Sequence, residues 1–135
     1  MTLRKRQDQF IADMAIFDTW TERFNHFIAL SEEQTILLPD CLLRYGIDFC
    51  RSKTCFRSEI CDDILIVRGW SNSAVLAGII VSITEIFNGT TTDELCSTEI
   101  NFHTSSCLID NLTPLRRDAI NEMIRRITVL YSNKD

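Results

Sequence analysis

Apolar side chains recur every three or four residues near the start of the chain. Phe10, Met14 and Phe17 follow this spacing, which predicts a helix over residues 9–17. A capping box at residues 19–22 (TWTE) predicts the start of a second helix, because a threonine hydroxyl and a glutamate three positions later satisfy free backbone N–H groups. The apolar stripe of this second helix contains Trp20, Phe24, Phe27 and Ile28.

The middle of the chain carries two short apolar runs, at residues 54–61 and 64–70, separated by Asp62 and Asp63. Short runs rich in Ile, Val and Phe predict strands, and a two-residue break between them predicts an antiparallel hairpin. Residues 31–45, before the hairpin, show no helical period and are expected to form a loop.

A longer run after the hairpin is apolar on almost every face and predicts a buried helix over residues 72–87, capped by Ser71. A short helical turn follows, residues 100–110 are expected to be irregular, and Pro114 predicts the start of a final helix. The buried stripe of that helix contains Ile120, Met123, Ile127 and Leu130. This order predicts an α+β fold, a single compact domain over residues 1–135 with a small antiparallel sheet packed with several helices.

Charge and hydropathy exclude several classes of protein. The 135-residue chain has 14 Lys plus Arg against 19 Asp plus Glu, a net charge of −5, so we expect no nucleic-acid partner. The longest apolar run, residues 74–83, is shorter than the ~20 residues that cross a bilayer. No apolar stretch follows the basic N-terminus as it would in a signal peptide. The sequence therefore predicts a cytoplasmic protein without membrane contact.

Motifs for bound nucleotides, catalytic zinc and serine hydrolysis are absent, and the two histidines, His26 and His103, lie far apart in the sequence. We expect no bound cofactor. The notable feature of the composition is six cysteines. In a reducing compartment each cysteine is a small buried side chain, a metal ligand or a reactive thiol.

Cys50 differs from the other cysteines because Arg51 and Lys53 lie beside it. Nearby cations lower the pKa of a thiol, so this position is predicted to hold a reactive thiolate. Four cysteines are expected to be unreactive packing residues: Cys41, Cys61, Cys96 and Cys107. An alternative is a metal or cluster scaffold built on Cys50, Cys55 and Cys61, although a closed zinc site needs a fourth ligand.

Three segments resemble the motifs of SufE, the sulfur-acceptor family of iron–sulfur cluster assembly. Residues 49–55 (FCRSKTC) align with the acceptor loop G-C-Q-S-x-V-W. Residues 69–78 (GWSNSAVLAG) align with G-D-S-D-A-x-I-x-x-G, and residues 112–116 (LTPLR) match L-[ST]-P-x-R. The resemblance covers about residues 19–127 and implies the SufE/IscU-like α+β fold.

The resemblance also implies a function. Cys50 would accept persulfide sulfur from a SufS-like cysteine desulfurase and pass it to a SufBCD-like Fe–S scaffold complex. The chain would then be a sulfur carrier, working as a monomer or homodimer, and not a self-sufficient enzyme. It would activate a desulfurase that itself uses pyridoxal phosphate. Arg116, in the third motif, would steady the loop or the sulfur anion.

The acceptor loop departs from the family motif at positions next to Cys50. Phe49 replaces Gly, Arg51 replaces Gln, Thr54 replaces Val and Cys55 replaces Trp. Cys55 is a possible resolving thiol, which would form an internal disulfide with Cys50. These departures keep a second function open, a binding or regulatory module that retains the fold without sulfur transfer.

Overall fold

A single long helix, Ala74–Phe87, lies at the centre of the fold, and nine of its fourteen residues are buried. A computed structural model describes residues 1–37 and 39–132 of the chain. In chain order the elements are α1 (Leu3–Ile16), α2 (Trp20–Leu30), α3 (Pro39–Tyr45), β1 (Thr54–Cys61), β2 (Ile64–Ser71), α4 (Ala74–Phe87), α5 (Thr92–Ser97), α6 (Phe102–Ser105) and α7 (Pro114–Ser132). Short 3₁₀ turns occupy Ser31–Glu33 and Ile109–Asn111. This is the predicted α+β domain.

The two strands form an antiparallel hairpin, as predicted. Cys61 pairs with Ile64 at the turn and Thr54 pairs with Ser71 at the far end. Asp62 and Asp63 have φ angles of 51° and 63°. Two central residues with positive φ make a turn whose twist matches that of the strands, and aspartate tolerates this conformation better than most residues.

One face of the hairpin packs on α4 and closes the apolar core. Phe56 and Val67 are fully buried on this face. Gly69, on the same face, approaches α4 so closely that a Cβ atom there would lie 2.8 Å from a methyl group of Ile80. The long amphipathic α7 buries Met123 and other members of its predicted stripe against the same core.

Three local predictions need correction. Residues 31–45 are not a plain loop, because they contain a 3₁₀ turn and α3. Residues 100–110 likewise contain α6 and the start of a second 3₁₀ turn. The N-cap of α4 is Ser73, whose hydroxyl accepts from the Leu76 N–H, and not Ser71. In the described part of the chain no helix has the length and apolar character needed to cross a membrane.

Candidate functional site

Cys50 lies in a six-residue loop, residues 48–53, between α3 and β1. The stem of this loop extends the hairpin by one short antiparallel bridge between Gly46 and Cys55. The Ile47 N–H donates to the Thr54 carbonyl oxygen at 2.9 Å, and the Cys50 N–H donates to the Ile47 carbonyl oxygen at 3.2 Å. The loop that presents the thiol is therefore short and closed at its base.

Arg126, from α7, holds both sides of this stem through backbone carbonyl groups. Its Nη1 donates to the carbonyl oxygens of Tyr45 and Phe56, each at 2.7 Å. Its Nη2 donates to the Gly46 carbonyl oxygen at 3.1 Å. Tyr45 is the last residue of α3, where carbonyl groups lack helical partners, so one guanidinium satisfies this helix end and joins it to β1.

Glu122 orients that guanidinium from one turn earlier on α7. Its carboxylate accepts from Arg126 Nε at 2.9 Å and from two nitrogen atoms of Arg125, each at 2.7 Å. The hydrogen bonds from Arg125, assisted by those from Arg126, lower the pKa of Glu122 to about 2. The carboxylate thus stays ionised wherever the domain is folded near neutral pH.

The Cys50 thiol is half-buried and packs against the apolar core. Burial raises the pKa of this thiol, and a hydrogen bond with the Thr54 hydroxyl acts in the opposite direction. The side chains of Arg51 and Lys53 are exposed, where solvent screens their charges. The sequence-based expectation of a lowered thiol pKa is therefore wrong, because desolvation is the largest effect.

A buried pair of hydroxyl groups lies beneath the loop. Thr54 and Ser71, at paired positions of the two strands, are 3% and 1% exposed, and their Oγ1 and Oγ atoms are 2.9 Å apart. The Ser73 N–H donates to the Ser71 hydroxyl at 3.1 Å. Thr54 also lies 3.3 Å from the Ser52 carbonyl oxygen, to which its hydroxyl donates.

Cys55 does not meet Cys50 but forms a disulfide with Cys41, with the two Cα atoms 5.8 Å apart. The prediction that Cys55 resolves a modified Cys50 is therefore corrected. Cys55 is fully buried on the face of β1 that α3 covers, and α3 carries Cys41. The bond closes a ring of residues 41–55 that contains Cys50, which remains a free thiol.

Arg116 lies in the first turn of α7 and is half-buried. Within the described residues, no hydrogen bond or ion pair joins it to the loop, so its role there stays a prediction. Phe49, which precedes Cys50, and Leu115 are 48% and 37% exposed and line one shallow cleft. Four polar residues of α7 complete that cleft: Asp118, Asn121, Glu122 and Arg125.

The remaining cysteines differ from their prediction as packing residues, since Cys61, Cys96 and Cys107 are all exposed. The metal alternative also loses its geometry. Cys55 and Cys61 lie six positions apart on one strand, which corresponds to roughly 20 Å. Across residues 1–37 and 39–132, no group of three or more His, Cys, Asp or Glu side chains is arranged to hold a metal ion.

A cavity of about 600 Å³ lies between α3, β2 and α4. Its walls include Cys41 and Tyr45 from α3, Arg68 and Trp70 from β2, and Thr84 from α4. The sequence pattern did not indicate this cavity, because its walls come from four segments separated along the chain. The same holds for Arg126, which meets Phe56 across 70 positions.

Comparisons with known proteins agree with this architecture. A family model described as "SufE: Fe-S metabolism associated domain" matches residues 8–130. An uncharacterized SufE-like protein of Rhizobium meliloti (strain 1021) is 25% identical over an alignment of 130 positions that covers 89% of this chain and 90% of that protein. The solution structure of a hypothetical protein from Thermus thermophilus has a TM-score of 0.68 at 12% identity, with 98% of this chain and 96% of that chain covered. At that identity the structural likeness concerns the fold alone.

Proposed function

Because the chain belongs to the SufE family and so to proteins of Fe–S metabolism, we propose that Cys50 accepts persulfide sulfur from a cysteine desulfurase. The observation that supports this most directly is the position of the thiol. Cys50 is free, lies in a loop anchored at both ends, and occupies the acceptor position of the family motif. An anchored loop presents a nucleophile in a limited set of positions, which favours reaction with a docked partner.

The proposed step is a thiol exchange. The Cys50 thiolate attacks the terminal sulfur of the donor persulfide, a new S–S bond forms on Cys50, and the donor cysteine leaves as a thiolate. No oxidant or reductant is consumed. The onward step reverses the roles, because Cys50 becomes the leaving thiolate when an acceptor on a scaffold takes the terminal sulfur.

The raised pKa of Cys50 means that the free protein holds most of this thiol protonated at neutral pH. We propose that docking of the desulfurase supplies the stabilisation of the Cys50 thiolate that the free loop lacks. The exposed Phe49, next to Cys50 in the sequence, and Leu115, which lines the same cleft as Phe49, offer apolar contact area for such a partner. We further propose a SufBCD-like scaffold as the acceptor, a cytoplasmic location, and a monomer or homodimer as the working form.

The raised pKa also favours a second candidate function. A thiol that stays protonated suits a binding or regulatory module that keeps the SufE fold and the docking cleft but transfers no sulfur. The two candidates differ in one measurable product, a persulfide on Cys50.

The test is incubation of the protein with a cysteine desulfurase and cysteine, followed by mass spectrometry of the intact chain and of the peptide that contains Cys50. The proposal expects one added sulfur atom on Cys50, absent in Cys50→Ser. Cys107→Ser is the matched control, because Cys107 is also a free thiol and is more exposed. Binding of the desulfurase without sulfur on Cys50 would support the second candidate.

A further inference from the structure

We propose that Thr54 is a catalytic residue of the acceptor site: its buried hydroxyl, directed by Ser71, donates a hydrogen bond to the Cys50 sulfur when that sulfur is a thiolate. The proposal rests on the proposed function, since it assigns a role in the sulfur transfer inferred above. Its geometric starting point is the pair of buried hydroxyl groups on Thr54 and Ser71. Apolar side chains could fill the same space, and buried hydroxyl groups need hydrogen-bond partners.

The direction of the hydrogen bonds follows from counting protons. Ser71 Oγ accepts from the Ser73 N–H, so its own proton remains to be donated. The acceptor within reach of that proton is Thr54 Oγ1, at 2.9 Å. If Thr54 donated to Ser71 instead, the Ser71 proton would be buried without a partner, which is costly.

With Ser71 as donor, the single Thr54 proton is directed toward the loop. The Ser52 carbonyl oxygen accepts there at 3.3 Å, and the Cys50 sulfur is near enough for the Thr54 hydroxyl to lower the pKa of the thiol. While the thiol is neutral, the carbonyl oxygen is the better acceptor. Once the sulfur carries a negative charge, a charge-assisted hydrogen bond to it is about twice as strong as a neutral one, so the hydroxyl turns to the sulfur.

This rotation would act in both halves of the transfer. Before attack, it increases the fraction of Cys50 present as thiolate. That fraction limits the rate, because burial raises the pKa of this thiol. A lower pKa also reduces the intrinsic nucleophilicity, but only by about half as much on a logarithmic scale. During onward transfer Cys50 is the leaving group, and a better stabilised thiolate leaves faster. No proton is transferred by Thr54 in either step.

The hydroxyl group at position 54 is a departure of this chain from the motif that it resembles. The corresponding position of the acceptor loop G-C-Q-S-x-V-W is Val, which has the shape of Thr but no proton to donate. Thr54→Val therefore removes the hydroxyl with little change in volume and restores the motif residue. Thr54→Ser keeps the hydroxyl and removes a methyl group.

The experiment measures the pH dependence of Cys50 alkylation by iodoacetamide, quantified on the Cys50 peptide, for the wild type, Thr54→Val, Thr54→Ser and Ser71→Ala. We expect the apparent thiol pKa to rise by about one unit in Thr54→Val. Thr54→Ser should retain the wild-type value, and Ser71→Ala should give a smaller rise because the Thr54 hydroxyl is then no longer directed. A role in packing alone would affect the thermal midpoint of Thr54→Ser without this pattern in the pKa.

Sulfur transfer from a desulfurase is then measured with the same variants across pH. Thr54→Val should need a higher pH for the half-maximal rate, and Thr54→Ser should not. Equal alkylation pKa values in the wild type and Thr54→Val would overturn the role of Thr54 and leave the proposed function intact. A wild-type chain that alkylates as expected but takes no sulfur would overturn the proposed function instead.

Discussion

Two parts of the molecule are tightly joined, but by different interactions. One is the contact between α2 and α4, and the other is the stem of the loop that carries Cys50. At the helix contact, Gly78 of α4 lies so near α2 that a Cβ atom there would stand 1.9 Å from the Phe27 carbonyl oxygen. Around it the residues are apolar and fully buried, including Phe27 and Ile79. Dense apolar packing of this kind has little room to adjust.

The stem of the loop that carries Cys50 depends on directional polar contacts and one covalent bond. Arg126 donates to three backbone carbonyl groups, and the Cys41–Cys55 disulfide joins α3 to β1. Each of these can be removed by one substitution or by a reductant. The domain therefore combines a densely packed body with a loop that a few separate contacts anchor, and the Cys50 thiol lies on that loop.

The largest expected effect comes from filling the space at the helix contact. Gly78→Ala should lower the free energy of unfolding by at least about 3 kcal/mol, because the methyl group meets backbone atoms that cannot rotate away. Urea unfolding at pH 7 measures this. Gly89→Ala is the control: apart from its two chain neighbours, no atom of the described residues lies within 4 Å of its Cβ position, and its φ of 82° alone should cost about 1 kcal/mol. Equal losses of unfolding free energy in Gly78→Ala and Gly89→Ala would mean that the contact at Gly78 has room for a methyl group.

The second effect concerns the covalent anchor of the loop. Reduction of the Cys41–Cys55 bond should lower the free energy of unfolding by about 2 to 3 kcal/mol, the loss expected for opening a ring of this length in the unfolded chain. The measurement is urea unfolding with and without a thiol-free reductant. Cys41→Ser should show the lower stability and no response to the reductant.

Cys107→Ser, which alters an exposed free thiol, should keep the response of the wild type. A wild-type chain whose stability is independent of the reductant would show that α3 is held to β1 by the other contacts alone. Hydrogen exchange at residues 46–55 separates the two regions, because it should rise on reduction while exchange in α4 stays slow.

The two regions also differ in how far the sequence predicts them. The hairpin follows from two short runs and a two-residue break, and the capping box at residues 19–22 gives the start of α2, with Thr19 accepting from the Glu22 N–H. These signals are local, since neighbours in sequence make the contacts. The sequence pattern does not indicate α3, because its seven residues carry little helical period. The pattern also does not reveal the disulfide that attaches α3 to β1.

The candidate site was predicted only in part for the same reason. The motif points to Cys50, but the pKa of its thiol depends on burial, which local charges such as Arg51 do not reveal. Arg126 reaches Tyr45 across 81 positions in the sequence, and no spacing rule connects residues so far apart. The motif points to Arg116, whereas the arginine that holds the stem, Arg126, lies about three turns later on the same helix.

The smallest effect tests the polar anchor through the residue that orients it. The pKa of Glu122 is lowered in the folded state to about 2 from an ordinary value of 4.5. A lowered folded-state pKa stabilises the fold above the unfolded value, and this stabilisation is lost as pH falls from about 4.5 toward 2. Glu122→Gln should therefore lose about 1 kcal/mol at pH 7, a modest figure because solvent screens a surface ion pair.

The difference between Glu122→Gln and the wild type should shrink as pH falls below about 4.5 and approach zero only near pH 2, where Glu122 of the folded wild type also becomes neutral. Urea unfolding at pH 7, 4 and 3 measures the convergence, and Glu99→Gln, at an exposed glutamate outside the site, is the control. Hydrogen exchange at Gly46 should rise in Glu122→Gln at pH 7, because Arg126 loses the carboxylate that aims it at the stem. A constant stability difference at all three pH values would mean that Glu122 acts through packing, and the polar anchoring of the loop would then rest on Arg126 alone.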